Sequence, residues 1–180
     1  GATKTDKFRA RFGERFINVG ISEQNMAGVA AGATHQSLDD LALMRALPNM
    51  TVLAPSDQVE TRKAVLKAVE HKGPVYLRIG RMGCPVFFRE DTEFEIGKAY
   101  VLMVGVIYEA ALLLEKKGVQ ARVVDMPTLK PIDEATIIRS AQETKVIVTA
   151  EDHFLYGGLY SAVCEVVAGL TPVRGIAVRD

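Results

Sequence analysis

Residues 16 to 26 read Phe16-Ile17-Asn18-Val19-Gly20-Ile21-Ser22-Glu23-Gln24-Asn25-Met26 and have the pattern of a strand, a turn and a helix. A short apolar run ends at a glycine, and an Ala/Gly-rich segment follows it. We predict a strand at Arg15–Val19 and a helix at Glu23–Ala31. A corner of this kind presents side chains at the carboxyl edge of a parallel sheet, where ligands bind. Glu23 is therefore the first candidate site residue.

The rest of the chain repeats this alternation of short apolar runs with amphipathic stretches, which predicts an α/β fold. We expect two doubly wound, mostly parallel-sheet domains, at residues 1–80 and 97–180, joined by a linker at 81–96. Further strands are predicted at Thr51–Ala54, Val75–Ile79, Val101–Val106, Ala121–Met126, Lys145–Ala150 and Val173–Val178. Further helices are predicted at Leu38–Ala46, Gln58–His71, Tyr108–Lys117 and Glu134–Glu143, and after Gly157-Gly158 through Ala168.

Local signals refine these elements. Ser37 and Ser56 are the expected N-caps of the two helices that follow them, because a hydroxyl can accept a hydrogen bond from a free helix N–H. The segment from Pro127 to Pro131 is predicted to be a turn between a strand and a helix.

Composition excludes several functions. The chain has 22 basic and 22 acidic residues, so it lacks the positive field that nucleic acid binding requires. No apolar run is long enough to cross a bilayer, and no signal-like segment opens the chain. Cys84 and Cys164 form no CxxC pair and are expected to be free thiols, which favours a cytoplasmic location.

Three residues are candidates for chemistry, and each also has a simpler interpretation. Glu23 suits the first turn of any helix, but a buried carboxyl could also meet a heteroaromatic nitrogen of a ligand. His35 could be a turn residue or a hydrogen-bonding partner of polyol hydroxyls. Arg78 ends a predicted strand and could be a surface residue or a bidentate phosphate ligand.

The C-terminal half offers weaker signals. Glu151-Asp152-His153 could suggest a metal site, but no further ligand pair has a helpful spacing. A loop at a strand end, tied to the following helix, is the favoured interpretation. Gly157-Gly158 lacks the GxGxxG spacing of nucleotide-binding turns.

Several motifs together resemble the transketolase family of thiamine-diphosphate enzymes. The resemblance covers most of the chain, including the run from Thr3 to Gly28 with its Gly-Ile-x-Glu-x-Asn motif, and residues 34–50 and 55–78. In the C-terminal half it lies in Asp125-Met126-Pro127-Thr128, Lys130-Pro131-Ile132-Asp133, Glu151-Asp152-His153 and Gly157-Gly158-Leu159. It implies an incomplete pyrimidine-binding domain followed by a transketolase C-terminal domain.

The resemblance also implies roles for the candidate residues. Glu23 would hydrogen-bond the pyrimidine ring of thiamine diphosphate and favour the imino tautomer that activates the coenzyme. His35 would line the substrate channel as a catalytic and substrate-binding residue, and Arg78 would bind the phosphate of the sugar. The implied enzyme is a magnesium-dependent transferase of the pentose phosphate pathway that moves two-carbon ketol units between sugar phosphates.

Some parts of the family pattern are missing. Gly32 passes directly to Ala33 without the long segment that family members carry there, and shorter gaps are expected near Met103 and Ala110. Omitted loops, engineered deletion and natural shortening are the competing explanations; the first is favoured because the joins interrupt good motifs. The family's Gly-Asp-Gly run, which holds Mg²⁺ with the diphosphate, does not occur.

We therefore expect a C-terminal section or subunit of a transketolase that is inactive without an N-terminal, diphosphate-binding partner and that makes homo-dimer contacts. A 1-deoxy-xylulose-5-phosphate synthase or another thiamine-diphosphate enzyme half is the alternative within enzymes. A non-catalytic assembly module is the alternative outside them. Sugar preference and oligomer size do not follow from the sequence.

Overall fold

The computed structural model describes residues 38–80, 85–102 and 106–179, and it confirms the α/β class. Its helices are α1 (Asp40–Ala46), α2 (Gln58–Glu70), α3 (Val106–Glu115), α4 (Glu134–Glu143) and α5 (Leu159–Val167). Its strands are β1 (Thr51–Leu53), β2 (Val75–Leu77), β3 (Tyr100–Leu102), β4 (Val123–Asp125), β5 (Thr128–Lys130), β6 (Ile147–Phe154) and β7 (Val173–Val178). The predicted strand at Arg15–Val19 and helix at Glu23–Ala31 lie outside the described residues.

The described strands form three small sheets, ordered β2–β1–β5, β3–β4 and β6–β7. β1 and β2 are parallel, as are β6 and β7, which is the pairing that a strand–helix–strand alternation predicts. β5 joins β1 in antiparallel fashion, and β3 and β4 are also antiparallel. The division into domains at residues 1–80 and 97–180 stays a prediction.

The turn predicted from Pro127 to Pro131 is wrong, because Thr128–Lys130 forms β5. Leu129 is 4% exposed and belongs to a core cluster with residues of α1, β1 and β2. Burial of this side chain and pairing with β1 override the local turn signal of the two flanking prolines. The other members of the cluster are Leu41, Met44, Val52 and Tyr76.

Two further core clusters complete the described fold. One consists of Leu53 on β1, Ala64 on α2 and Phe94, which lies in the segment between β2 and β3. The other lies between α4 and α5 and consists of Ile137, Ala141, Val163 and Val167. Helices α4 and α5 are amphipathic, and each buries one face in the second cluster.

Several details of the elements differ from the prediction, including bounds that shift by one to four residues. Asp57, not Ser56, is the N-cap of α2, and its carboxylate accepts a hydrogen bond from the Glu60 N–H at 2.8 Å. The strand expected at Val101–Val106 is shorter: β3 ends at Leu102, and α3 already includes Val106. Ser37, the other expected N-cap, lies outside the described residues.

Helix α3 differs from the other helices in how little of it is covered. Ala111 is buried, but Ile107 is 53% exposed and Leu113 is 60% exposed. This helix lies where gaps near Met103 and Ala110 were expected.

In the described ranges every helix is too short or too polar to cross a bilayer.

Candidate functional site

The carboxyl ends of β1 and β2 lie side by side, and the polar residues Ser56 and Arg78 follow these two ends. The two strands are parallel, with Leu53 opposite Leu77, so the residues that follow them leave the sheet at one edge. The Arg78 N–H donates to the Leu53 carbonyl at 2.8 Å and extends this pairing by one residue. Ser56 follows β1 at the same edge. Edges of this kind are the usual ligand-binding positions of parallel sheets.

Arg78 is held at this edge by a buried acid from α1. Its Nε lies 3.2 Å from Oδ2 of Asp40, and the side chains are 19% and 3% exposed, respectively. The Tyr76 hydroxyl donates to the same oxygen at 2.7 Å. Burial is the larger cause that raises the pKa of Tyr76 above its usual range, and this hydrogen bond is the second. The acid therefore orients the guanidinium and the phenol together.

This arrangement gives Arg78 a defined direction at the sheet edge. A guanidinium whose Nε is fixed by a carboxylate loses less conformational freedom when it binds an anion. The structure thus places Arg78 where the sequence predicts it. Glu23 and His35, the other predicted site residues, lie outside the described residues.

Sequence reasoning missed a second group of polar residues at this edge, formed by Ser56, Glu60 and Asp125. The Ser56 N–H donates to Oε2 of Glu60 at 2.6 Å, and the Ser56 hydroxyl donates to Oδ1 of Asp125. Glu60 is only 2% exposed. The Asp57-x-x-Glu60 spacing is that of a capping box, in which the glutamate reaches back towards the helix start. That signal predicts the inward turn of Glu60, but not its meeting with Asp125.

Both acids of this group have displaced pKa values. Burial, the charge of Asp125 and that of Asp57 raise the pKa of Glu60 to about 9, although the Ser56 N–H opposes the shift. Burial also raises the pKa of Asp125, while its hydrogen bond from the Ser56 hydroxyl acts in the opposite direction. The two carboxyl groups interact directly and titrate as a pair.

Glu151, Asp152 and His153 lie in β6, so the prediction that they form a loop is wrong. The predicted tie to the following helix is confirmed, because the Glu151 carboxylate accepts hydrogen bonds from the N–H groups of Leu159 at 2.7 Å and Tyr160 at 2.8 Å. A carboxylate in this position complements the exposed N–H groups at the start of α5.

His153 is fully buried and connects β6 to α1. Its Nδ1 lies 2.7 Å from the Phe154 carbonyl, and its Nε2 lies 3.4 Å from the Ala42 N–H, an arrangement that places the ring proton on Nδ1. A Cβ at Gly158 would lie 2.7 Å from this Nδ1, closer than such contacts allow. The glycine pair therefore permits close packing here. Cys164 is a free thiol, as predicted, and Cys84 lies outside the described residues.

Family models match both halves of the chain. The model described as "Transketolase, pyrimidine binding domain" matches residues 30–85, and "Transketolase, C-terminal domain" matches residues 99–180. The first range contains His35 and Arg78, and the second contains Asp125 and the Glu151–His153 segment.

Individual relatives agree with the family models. The chain is 41% identical over 166 residues to an apulose-4-phosphate transketolase subunit of Phocaeicola vulgatus, covering 84% of this chain and 53% of the relative. It is 33% identical over 234 residues to a Methanocaldococcus jannaschii protein provisionally named as a transketolase C-terminal section, covering 93% and 73%. This aligned region is longer than the chain of 180 residues, so the relative contains segments that the chain lacks.

A solved structure described as a split-gene transketolase, inactive beta4 tetramer, has the same fold. It superposes with a TM-score of 0.80 at 40% identity and covers 99% of this chain and 80% of its own. The chain spans about half the length of the Phocaeicola relative. All three proteins bear the transketolase name, and none of the three is a deoxyxylulose-phosphate synthase.

Proposed function

The chain belongs to the transketolase family, as its C-terminal section or subunit, and on that premise we propose that it supplies one half of a thiamine-diphosphate-dependent transferase. The complete enzyme moves two-carbon ketol units between sugar phosphates. Arg78 carries this proposal, because an oriented guanidinium at the sheet edge suits the phosphate of such a substrate.

Arg78 binds the terminal phosphate through its guanidinium, and Asp40 keeps that group in position. The Phocaeicola relative is named for a sugar phosphate, which supports a substrate of this class. His35, five residues before Asp40 in the chain, contacts the sugar hydroxyls as donor and acceptor. Binding at both ends of the sugar holds its carbonyl in a defined place.

Glu23 contacts the pyrimidine ring of the coenzyme, holding a proton between its carboxyl and a ring nitrogen. The coenzyme supplies the carbon nucleophile that carries the ketol unit. Magnesium and the diphosphate group are bound by a partner section, since the family's Gly-Asp-Gly run does not occur in the 180 residues. This chain thus contributes coenzyme activation and substrate binding, in a complex that also contains homo-dimer contacts and works in the cytoplasm.

Reconstitution tests the division of labour. We expect no ketol transfer by the purified chain, even with thiamine diphosphate and Mg²⁺, and activity on addition of an N-terminal, diphosphate-binding section. The inactive beta4 assembly of the split-gene relative supports this expectation. Turnover by the chain alone would overturn the proposal, as would a preference for pyruvate and glyceraldehyde phosphate over xylulose phosphate and ribose phosphate.

Variants of the reconstituted complex test the residues. Glu23→Gln should lower kcat by roughly 100-fold or more, because coenzyme activation fails; an unchanged kcat would favour a non-catalytic assembly module. Arg78→Lys should raise KM for a phosphorylated donor by about 10-fold and leave an unphosphorylated ketose unaffected. Arg62→Lys, an exposed arginine paired with Glu90, is the matched control. Equal effects of Arg78→Lys on both donors would exclude phosphate binding.

A further inference from the structure

We propose that Glu60 and Asp125 share one proton, and that this proton fastens α2 to β4 and so closes the seam between the N-terminal and C-terminal halves of the chain. The pair is a proton-dependent latch built into the fold. This inference does not depend on the proposed enzymatic activity, because it concerns the stability of the chain and none of its proposed ligand contacts.

The hydrogen bonds around Ser56 define the latch. The Ser56 N–H donates to Oε2 of Glu60, and its hydroxyl donates to Oδ1 of Asp125. Ser56 therefore brings the two carboxyl groups together and has no further proton to donate. The remaining oxygens, Oε1 of Glu60 and Oδ2 of Asp125, are buried and accept no hydrogen bond from the described residues.

Two ionised carboxylates in this arrangement would repel each other in a poorly solvated place. A proton on one of them changes the repulsion into a hydrogen bond between the acids and satisfies the last buried oxygens. A single shared proton therefore accounts for the burial of both Glu60 and Asp125.

The surrounding charges favour retention of this proton. Asp57, the N-cap of α2, adds a second negative charge near Glu60, and its Oδ2 accepts the N–H groups of Phe87 and Phe88. Lys63 lies one turn further along α2, but its ammonium donates to the backbone carbonyls of residues 89, 90 and 92. Lys63 lines the same small cavity as Glu60, and these carbonyls occupy its ammonium.

In the segment before β3, Arg89 is exposed and paired with Asp91. Glu93 lines a small cavity next to Glu60, together with Phe88 and Phe94. On β3 the Tyr100 hydroxyl accepts a hydrogen bond from the Glu95 N–H at 2.8 Å, and burial raises the pKa of this phenol, so it stays uncharged at neutral pH. Next to the latch, Glu93 and Asp57 are acidic and Tyr100 is uncharged, while the Lys63 ammonium is occupied by backbone carbonyls.

The sign of the pH dependence follows from the raised pKa of Glu60. The folded chain keeps this proton up to about pH 9, whereas the unfolded chain loses it in the usual range of a glutamate. The stabilising contribution is complete below that usual range, decreases as the pH rises, and is lost above pH 9. Between these limits the unfolding equilibrium constant should increase by up to about tenfold per pH unit.

Urea unfolding of the full chain, followed from about pH 5 to about pH 10, tests the latch. In Glu60→Gln the amide imitates the protonated acid, so the alkaline increase of the unfolding constant should disappear. Asp125→Asn removes the neighbouring charge, lowers the pKa of Glu60 and should end the increase at a lower pH. Glu70→Gln, an exposed residue on the same helix with the same change of charge, should behave as the wild type.

Infrared difference spectroscopy supplies a second measurement, and its deciding result comes from the wild-type chain. Between about pH 7 and about pH 10, the wild-type chain should lose one carboxylic acid carbonyl band, and Glu60→Gln should lack that band. A wild-type spectrum without such a band at neutral pH would overturn the proposal. So would an alkaline slope in Glu60→Gln equal to that of the wild type.

Discussion

Two buried acids near one sheet edge, Asp40 on α1 and Glu60 on α2, are stabilised in different ways. Both are 2% exposed, and both lie in the first turn of a helix. Asp40 meets the guanidinium of Arg78 and the hydroxyl of Tyr76. Glu60 meets a backbone N–H and a second acid.

The difference shows that burial alone does not decide whether an acid is charged. A permanent cation faces Asp40, and the contact makes this acid useful for orienting a binding group. Without such a cation, Glu60 can be buried only with a proton, and its contribution then depends on pH. The variants below test this contrast, from the largest expected effect to the smallest.

Asp40→Ala should have the largest effect. It leaves a buried phenol and a mostly buried guanidinium without their shared acceptor, so we expect a loss of about 3–5 kcal/mol of unfolding free energy. Urea unfolding at neutral pH measures it. Glu70→Ala, which removes an exposed acid from α2, should cost no more than about 0.5 kcal/mol. A cost for Asp40→Ala as small as that of the control would contradict the role given to the ion pair.

Glu151 provides a third solution to the same problem, since helix N–H groups surround its carboxylate. Glu151→Ala should cost about 2 kcal/mol, because two N–H groups at the start of α5 lose their acceptor. Hydrogen exchange of the Leu159 and Tyr160 amides should become faster, while exchange in α4 stays unchanged. Unchanged protection of these two amides would show that the carboxylate does not support the helix.

Tyr76→Phe separates the two partners of Asp40. The variant removes one hydrogen bond to a charged acceptor and keeps Arg78 in place, so a cost of about 1.5 kcal/mol is expected. A double variant with Asp40→Ala should cost less than the sum of the single variants, because the hydroxyl and the carboxylate act on each other. Additive costs would indicate that the hydrogen bond contributes little.

The pH dependence expected for Asp133 is opposite to that expected for Glu60. It caps α4, and the N–H groups of Thr136 and Ala99 with the Thr136 hydroxyl outweigh the effect of burial and lower its pKa. Its stabilisation is therefore present above the usual aspartate range and is lost as the pH falls. Asp133→Ala should cost about 1 kcal/mol at neutral pH, and this difference from the wild type should shrink below about pH 4. A constant difference would be inconsistent with a lowered pKa.

Elements with strong local signals could be predicted from the sequence. Helix α4 has the predicted bounds, Glu134–Glu143, because its N-cap and its apolar periodicity lie within a dozen residues. Strand β7 likewise matches Val173–Val178. β5 could not be recognised, because its stability comes from pairing with β1, more than seventy positions earlier in the chain. Pairing between distant segments leaves no local pattern.

The candidate site shows the same limit. The position of Arg78 at a strand end was predictable, since strand ends follow from hydrophobic patterning. Its partner Asp40 was not, because the contact depends on how α1 packs against β2. Asp125 and Glu60 meet across an even larger separation. The family resemblance identified the chain's relatives correctly, and the roles of Glu23 and His35 stay predictions.

Hydrogen bonds with the C-terminal half hold the end of helix α1, and they affect how the chain folds during synthesis. The Lys130 ammonium donates to the carbonyls of Arg45 and Leu47, and the Arg45 guanidinium donates to the Gly157 carbonyl, in bonds that join residues 83 to 112 positions apart. During synthesis, this short helix must therefore wait for most of the polypeptide to leave the ribosome before it docks. Until then, Leu41 and Met44 lack the cover of Leu129, and the nascent chain is exposed to aggregation.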